Sequence, residues 1–293
     1  MTGRVLRTTS PSGLDRASLP MRLFEKAKRR GVWNPSDLDF ARDAADWGGL
    51  ARDERDLLLR LTALFQGGEE SVALDLVPLI EAIAAEERLE EELYLATFLF
   101  EEAKHVDLFR RFLDEVADER GDLARYHGLS YRELVYVELP SALGRLRDDR
   151  SPEALAAASV TYNMIVEGVL AETGYHGYFS VLERRDILPG MRSGIEKLKE
   201  DESRHIAYGV HLLSRLVAEH GERVWRTISD RFERLLPLAM GTVGEIFEAY
   251  DPIPFDLAPD DFLGFAMTQF ERRFARIERA RSGAVTSDGD EEV

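Results

Sequence analysis

Glu102 with His105, and one hundred residues later Glu202 with His205, form two Glu-x-x-His pairs. Each is preceded by a further glutamate about one long helix upstream, Glu69 and Glu167. Positions i and i+3 of a helix project from the same face, so each pair can offer one carboxylate and one imidazole to a common centre. Four carboxylates and two imidazoles form a donor set with which a helical bundle can hold two transition-metal ions. Carboxylate oxygens mixed with imidazole nitrogen suit iron and manganese; zinc sites usually have fewer carboxylates, and magnesium rarely takes histidine. Glu102 and Glu202, central in each half, are the natural bridging ligands. The other histidines (His127, His176, His211 and His220) have no carboxylate three positions earlier and are read as ordinary core or surface residues.

Helices must position these groups. Helical periodicity dominates from about Pro35 to Ala280, with a start expected at Ser36 and Asp39. One helix runs through Leu58, Leu61, Leu64 and Phe65 past Glu69 and Val72. The stretch from about Leu89 to Val116 puts Leu95, Phe98, Glu102, His105, Phe109 and Leu113 on one stripe. A helix from about Pro152 to Leu182 has Ser151 as its expected cap, and Asp186, Pro189 and Gly190 interrupt the pattern before the helix that carries Glu202. Two more are expected at about Glu222–Tyr250 and Asp260–Arg281. Strand alternation is absent from the sequence, so the expected class is all-α.

Spacing supports the pairing. Glu167 and Glu202 lie either side of the Asp186–Gly190 turn, so an antiparallel pair would bring both to one level, ~25 Å from it. Glu69 and Glu102 have nearly the same separation, but their midpoint near Glu86–Glu90 lacks Gly or Pro, and Pro78 implies a kink or an early helix end. In a metal-free alternative these acids belong to salt-bridged surface helices. Against it, both pairs interrupt apolar stripes, where an unpartnered carboxylate is costly.

At 293 residues, 44% hydrophobic and 32% charged, the chain has the composition of a soluble globular protein. Its net charge of -17 argues against nucleic acid or an anionic membrane as the main partner. With no cysteine it has no disulfide, thiolate site or iron–sulfur cluster, which is compatible with the cytoplasm. No apolar run approaches the length needed to span a bilayer, so no transmembrane segment is expected, and the start has no signal-peptide core. The expected organisation is an arm over residues 1–20, a bundle domain over 21–281, and a disordered acidic tail over 282–293.

The chain resembles the ribonucleotide reductase small-subunit family of the ferritin-like superfamily, through Val32-Trp33-Asn34-Pro35-Ser36-Asp37-Leu38-Asp39, Asp46-Trp47 and Asp53-Glu54-Arg55. The resemblance, from about Leu23 to Arg281, implies a ferritin-like helical bundle of the ribonucleotide reductase small-subunit type. It implies one metal position at Glu69, Glu102 and His105 and another at Glu167, Glu202 and His205. It also implies that Asp201 accepts a hydrogen bond from His105, with Trp33 nearby.

Departures point to a sister branch. Where the reductase subunits commonly carry a radical-forming tyrosine, four residues after the first histidine, stands Phe109. The acidic Ser/Gly end lacks an apolar anchor for a large subunit. The chain is more similar to the ligand-binding oxidases, which implies one manganese and one iron ion (a di-iron pair is the variant), a bound long-chain fatty acid and dioxygen activation. It implies two-electron C–H oxidation that includes a tyrosine–valine ether cross-link, here between Val72 and Tyr162, and a homodimer. Tyr162 and Glu167 are about 140° apart on an ideal helix, so their joint approach implies a local helix distortion or reach along the ring. Gly67 and Gly68 mark a close approach or a bend. The alternatives are a radical-generating reductase subunit, an iron-storage or peroxide-removing ferritin-like protein, and a metal-free helical interaction module.

Overall fold

The computed structural model describes residues 6–282; residues 283–293, and with them almost all of the expected acidic tail, lie outside the described part. Among the described residues every regular element is helical. In chain order these are α1 (Leu19–Arg30), α2 (Ala41–Gly49), α3 (Arg52–Asp75), α4 (Val77–Ala85), α5 (Leu89–Glu115), α6 (129–145), α7 (Pro152–Arg185), α8 (Pro189–His220), α9 (Glu222–Phe247) and α10 (Pro259–Arg279). Two of them change period midway: α6 is a π-helix over Arg132–Glu138, and α7 over Val160–Ala171.

Helices α3, α5, α7 and α8 form the bundle around the candidate ligands. α3 packs on α5, the π segment of α7 packs on α8, and α1 lies across α5 and α8. Two apolar clusters fill the interior. One holds Val72, Tyr94, Phe98, Tyr162 and Tyr208; the other holds Phe65, Phe109, Phe112, Tyr175 and Tyr178. On α5 the polar pair Glu102 and His105 falls between Phe98 of the first cluster and Phe109 of the second, so the acidic centre is sealed by apolar packing on both sides.

Local chemistry explains the boundaries. Pro78 sits in the first turn of α4, where its missing N–H costs nothing, so α3 ends at Asp75 and Leu76 makes the bend. The α4–α5 turn closes without glycine because Glu87 adopts φ 59°. Ser151 caps α7, its hydroxyl accepting from the Ala154 amide at 3.3 Å. Between α7 and α8, Asp186 and Leu188 take left-handed conformations. The buried Asp43 carboxylate then accepts from the amides of Gly190 (2.8 Å) and Met191 (2.7 Å), satisfying donors at the start of α8.

Several expectations are corrected. No helix starts at Ser36: Pro35–Asp37 is a 3-10 turn held by the Asn34 side chain, and α2 begins at Ala41, with Asp39 accepting its amide. α1 begins inside the expected arm, at Leu19, and the arm itself is pinned by Arg7 to Glu90 at 2.6 Å. α6 was not anticipated. α7 is also long and apolar enough by composition to cross a membrane, contrary to the sequence reading, yet 83% of that window is buried inside the fold.

Candidate metal centre

Each bundle helix delivers its acid at one level: Glu69 from α3, Glu102 and His105 from α5, Glu167 from α7, Glu202 and His205 from α8. All six are at most 6% exposed. Ligand atoms of Glu69, Glu102, His105 and Glu202 lie within 4.8 Å of one another, as do those of Glu102, Glu167, Glu202 and His205. Glu102 and Glu202 belong to both groups. His105 Nδ1 faces Glu69 (3.3 Å) and Glu202 (3.3 Å); His205 Nδ1 faces Glu102 (3.0 Å) and Glu167 (3.6 Å).

The outer nitrogen of each ring is tied across to the other half. His105 Nε2 lies 3.3 Å from Asp201 Oδ2, and His205 Nε2 lies 2.9 Å from Glu101 Oε2. An N–H donated outward leaves the Nδ1 lone pair directed at the centre, the tautomer a metal ligand needs. Asp201 also accepts from Trp33 Nε1 (2.9 Å) and Lys104 Nζ (2.9 Å). Arg204 bridges Glu101 and Asp201, which ties the two outer acids together. Trp33 thus lies beside Asp201. Glu101 was missed, although the signal was present: it precedes Glu102 as Asp201 precedes Glu202.

The π segment sets the α7 side. In a π-helix hydrogen bonds run i to i+5, so residues five apart approach one face. Tyr162 and Glu167 therefore both reach the centre through a local helix distortion, one of the two ways their spacing implied. The Tyr162 hydroxyl donates to Glu102 Oε1 at 3.0 Å, and Asn163 donates to Glu167 Oε2 at 3.1 Å. Tyr175, which the sequence reading did not single out, donates to Glu69.

Electrostatics show what the set can do. Burial pushes Glu69 up to about 8 and Glu167 well above the carboxylate range. Burial also opposes ionisation of Glu102, but hydrogen bonds from His105 and His205 hold it well below its ordinary value. Both histidines are held well above theirs: burial disfavours the imidazolium, and the surrounding carboxylates outweigh it. Glu167 Oε1 and Glu202 Oε2 are buried and have no hydrogen-bond partner. Unpaired acceptors in a dry interior are expensive, and cations would satisfy them together. The donor set fits a pair of metal ions.

A narrow cavity of about 60 Å³ opens onto the same carboxylates. Its wall includes Glu69, Glu102, Glu167 and Glu202 together with Val72, Val135, Leu170, Val243 and Ile246. Gly68 lines it, while a Cβ on Gly67 would come within 2.8 Å of the Tyr131 hydroxyl. Phe109 stacks on Phe65 (5.2 Å between centroids) within the second cluster.

Comparison with known proteins agrees with this geometry. Residues 22–248 match the ribonucleotide reductase small-chain family. Among solved structures, an R2-like ligand-binding oxidase V72L mutant with anaerobically reconstituted Mn/Fe cofactor is 36% identical over 94% of this chain and 99% of that one, with a TM-score of 0.88. The aerobically reconstituted V72I mutant gives 36%, 94%, 100% and 0.90, and the anaerobic V72I form 38%, 93%, 98% and 0.87. The chain belongs to the ribonucleotide reductase small-chain family and, within it, to the R2-like ligand-binding oxidases, and is an oxidoreductase with a carboxylate–histidine metal site.

Proposed function

We propose that the chain is a manganese–iron oxidase that activates dioxygen, binds a long-chain fatty acid or similar amphiphile, and joins Val72 to Tyr162 by an ether bond. The observation that carries this is the largely apolar cavity lined by four site carboxylates, with Val72 in its wall and Tyr162 hydrogen-bonded to Glu102. Glu69, Glu102 and His105 would hold one ion and Glu167, Glu202 and His205 the other, with Glu102 and Glu202 shared. Bound there, the metals supply the oxidising power drawn from dioxygen.

The chain's own residues do the rest. Asp201 and Glu101 fix the two imidazoles, and Asn163 orients Glu167. The two aromatic clusters exclude water. Tyr162, with burial first and Glu102 and Glu167 next holding its pKa well above the ordinary value, keeps its proton until it is oxidised. In the cross-link one Val72 Cβ–H and one Tyr162 O–H are replaced by a C–O bond, and two electrons and two protons pass to dioxygen. An anionic head group is tolerated beside four carboxylates only when cations offset them, which couples lipid binding to metal loading. A long chain exceeds the free volume, so its entry displaces wall side chains. A single bundle domain over 21–281 and a homodimer complete this reading.

The test is aerobic loading with manganese and iron, elemental analysis, and intact and peptide mass spectrometry. Two metal equivalents and a loss of two hydrogens linking the peptides of Val72 and Tyr162 are expected, with a fatty acid released on denaturation. Fully metallated, oxygen-exposed protein whose two peptides stay separate would overturn the cross-link.

A further inference from the structure

On one flank of the centre runs an aromatic column that the reading above leaves unused. Phe98 stacks on the His205 ring, 3.6 Å between centroids and 12° between planes. Tyr94 meets Phe98 at 6.0 Å, and Tyr208 meets Tyr94 at 5.3 Å. All three rings are fully buried. The two phenols differ in one respect. Tyr94 Oη has no hydrogen-bond partner, whereas Tyr208 Oη donates to Glu91 Oε2 at 2.9 Å. Glu91 lies 3.2 Å from Arg215 Nε and lines a polar cavity of about 460 Å³ together with Arg7, Arg88 and His211. The column therefore begins at a candidate metal-ligating imidazole and ends at a carboxylate facing a polar cavity.

We propose that Tyr208 is a redox-active side chain that passes single electrons between the metal centre and this polar cavity, with Glu91 holding its phenolic proton. The proposal rests on the reading of the centre as a dioxygen-activating metal pair. Tyr208 gives one electron toward the dioxygen-oxidised centre while its O–H proton moves to Glu91 Oε2, leaving a neutral phenoxyl. A one-electron reductant at the cavity then supplies one electron and Glu91 returns the proton, which restores the phenol. Burial and the adjacent Glu91 hold the Tyr208 pKa well above its ordinary value, so the proton leaves only with the electron. Burial also raises Glu91, which favours its keeping that proton. Tyr94, with no acceptor, has nowhere to place a proton and serves as a bridging ring, as Phe98 does. A tyrosine column built for packing alone would not need the buried carboxylate at its end.

The experiment loads the full chain with manganese and iron, mixes it with dioxygen without added reductant, and follows freeze-quenched samples by electron paramagnetic resonance. Metal content and the Val72–Tyr162 mass change are measured on the same samples. A neutral tyrosine radical is expected, narrowed by ring-deuterated tyrosine, lost in Tyr208→Phe and reduced in Glu91→Gln, while Tyr94→Phe retains it. Full metal uptake and cross-linking without a tyrosine radical, or a radical undiminished in Tyr208→Phe, overturns the relay and leaves the oxidase reading intact. Failure to take up metal overturns both.

Discussion

Adding divalent manganese and iron to the metal-free protein at pH 7 should release protons, and the centre sets their number. Ligands bind metal only when deprotonated, so every proton held by a ligand must leave. Glu69, pushed by burial to about 8, carries its proton at pH 7, and burial favours the protonated form of Glu167 as well. His105 and His205 are held as imidazolium by neighbouring carboxylates against the cost of burial. Glu102, held well below its ordinary value, has none to give. Glu69 and His105 support each other's charged forms, as do Glu167 and His205, so each pair holds one proton when it is shared and two when it is not. The count is then about two to four per pair of metals, and the apparent affinity climbs about 100-fold or more per pH unit near neutrality. Stability follows the same sign. Glu69 shifts from an ordinary 4.5 to about 8, so the native state binds more protons than the unfolded chain between those values, and the metal-free protein loses stability as pH rises through that window. Taken alone the shift is worth about 5 kcal/mol. The imidazolium contributions are full below 6.5 and are likewise lost as pH rises through the raised values. Glu102 acts oppositely, its contribution disappearing as pH falls below 4.5 toward its depressed value. Calorimetry in buffers of different ionisation enthalpy counts the protons, and thermal melts of chelator-treated and loaded protein give the slopes. Release of one proton or none, or metal-free stability that rises from pH 5 to 8, would refute the reasoning.

Three further outcomes are expected. Asp43→Ala leaves the Gly190 and Met191 amides without their acceptor and should cost about 2–4 kcal/mol in denaturant unfolding, with Asp43→Asn milder; an unchanged midpoint would contradict the capping role. In Gly209→Ala the new Cβ would stand 2.3 Å from Asn163 Cβ, so α8 and the π segment must separate. That substitution should cost about 1–3 kcal/mol and weaken one of the two metal equivalents, which equilibrium dialysis reads directly. Glu101→Ala strips both Arg204 and His205 of a buried partner and should destabilise by about 3–5 kcal/mol, with metal affinity down about 10–100-fold in competition titration. If Glu101→Ala binds both metals as tightly as the natural chain, the outer acid does not hold the imidazole.

The convergence of the six candidate ligands was legible in the sequence because helical geometry leaves little freedom. Glu-x-x-His at i and i+3 fixes a face, and matched separations across a hairpin fix a level. Their burial followed from the apolar stripes they interrupt. What escaped had no residue signature of that kind. The Ser36 start failed because Pro35 and the Asn34 side chain stabilise a tight turn that competes with a helix. α6 escaped because its period changes at Arg132, so its apolar positions do not keep one 3.6-residue register. α1 lies ahead of Pro35, where helical periodicity is read to begin, yet its buried Met21, Leu23 and Ala27 pack toward α5 and α8. Lys104, at 6% exposure, would be placed on the surface by its residue type; only the fold shows it bonded to Asp201 and the Gly31 carbonyl.

The π segment of α7 is the clearest case of tertiary context deciding local structure. An α-helix over the same residues would turn Tyr162 about 140° away from Glu167 and leave only one of them at the centre. Helices of this type are rare and occur often at functional sites, because the wider turn costs backbone hydrogen-bond quality. Here the surrounding helices offset that cost. Arg273 of α10 donates to the Gly168 carbonyl and pairs with Glu172, and Arg231 of α9 donates to Thr161 Oγ1 at 2.8 Å. Gly209 lets α8 approach to contact at Asn163, on the face that carries Glu167. The distortion is thus held by α8, α9 and α10 together. Without these helices α7 could bring the candidate ligand Glu167 or Tyr162 to the centre, but not both.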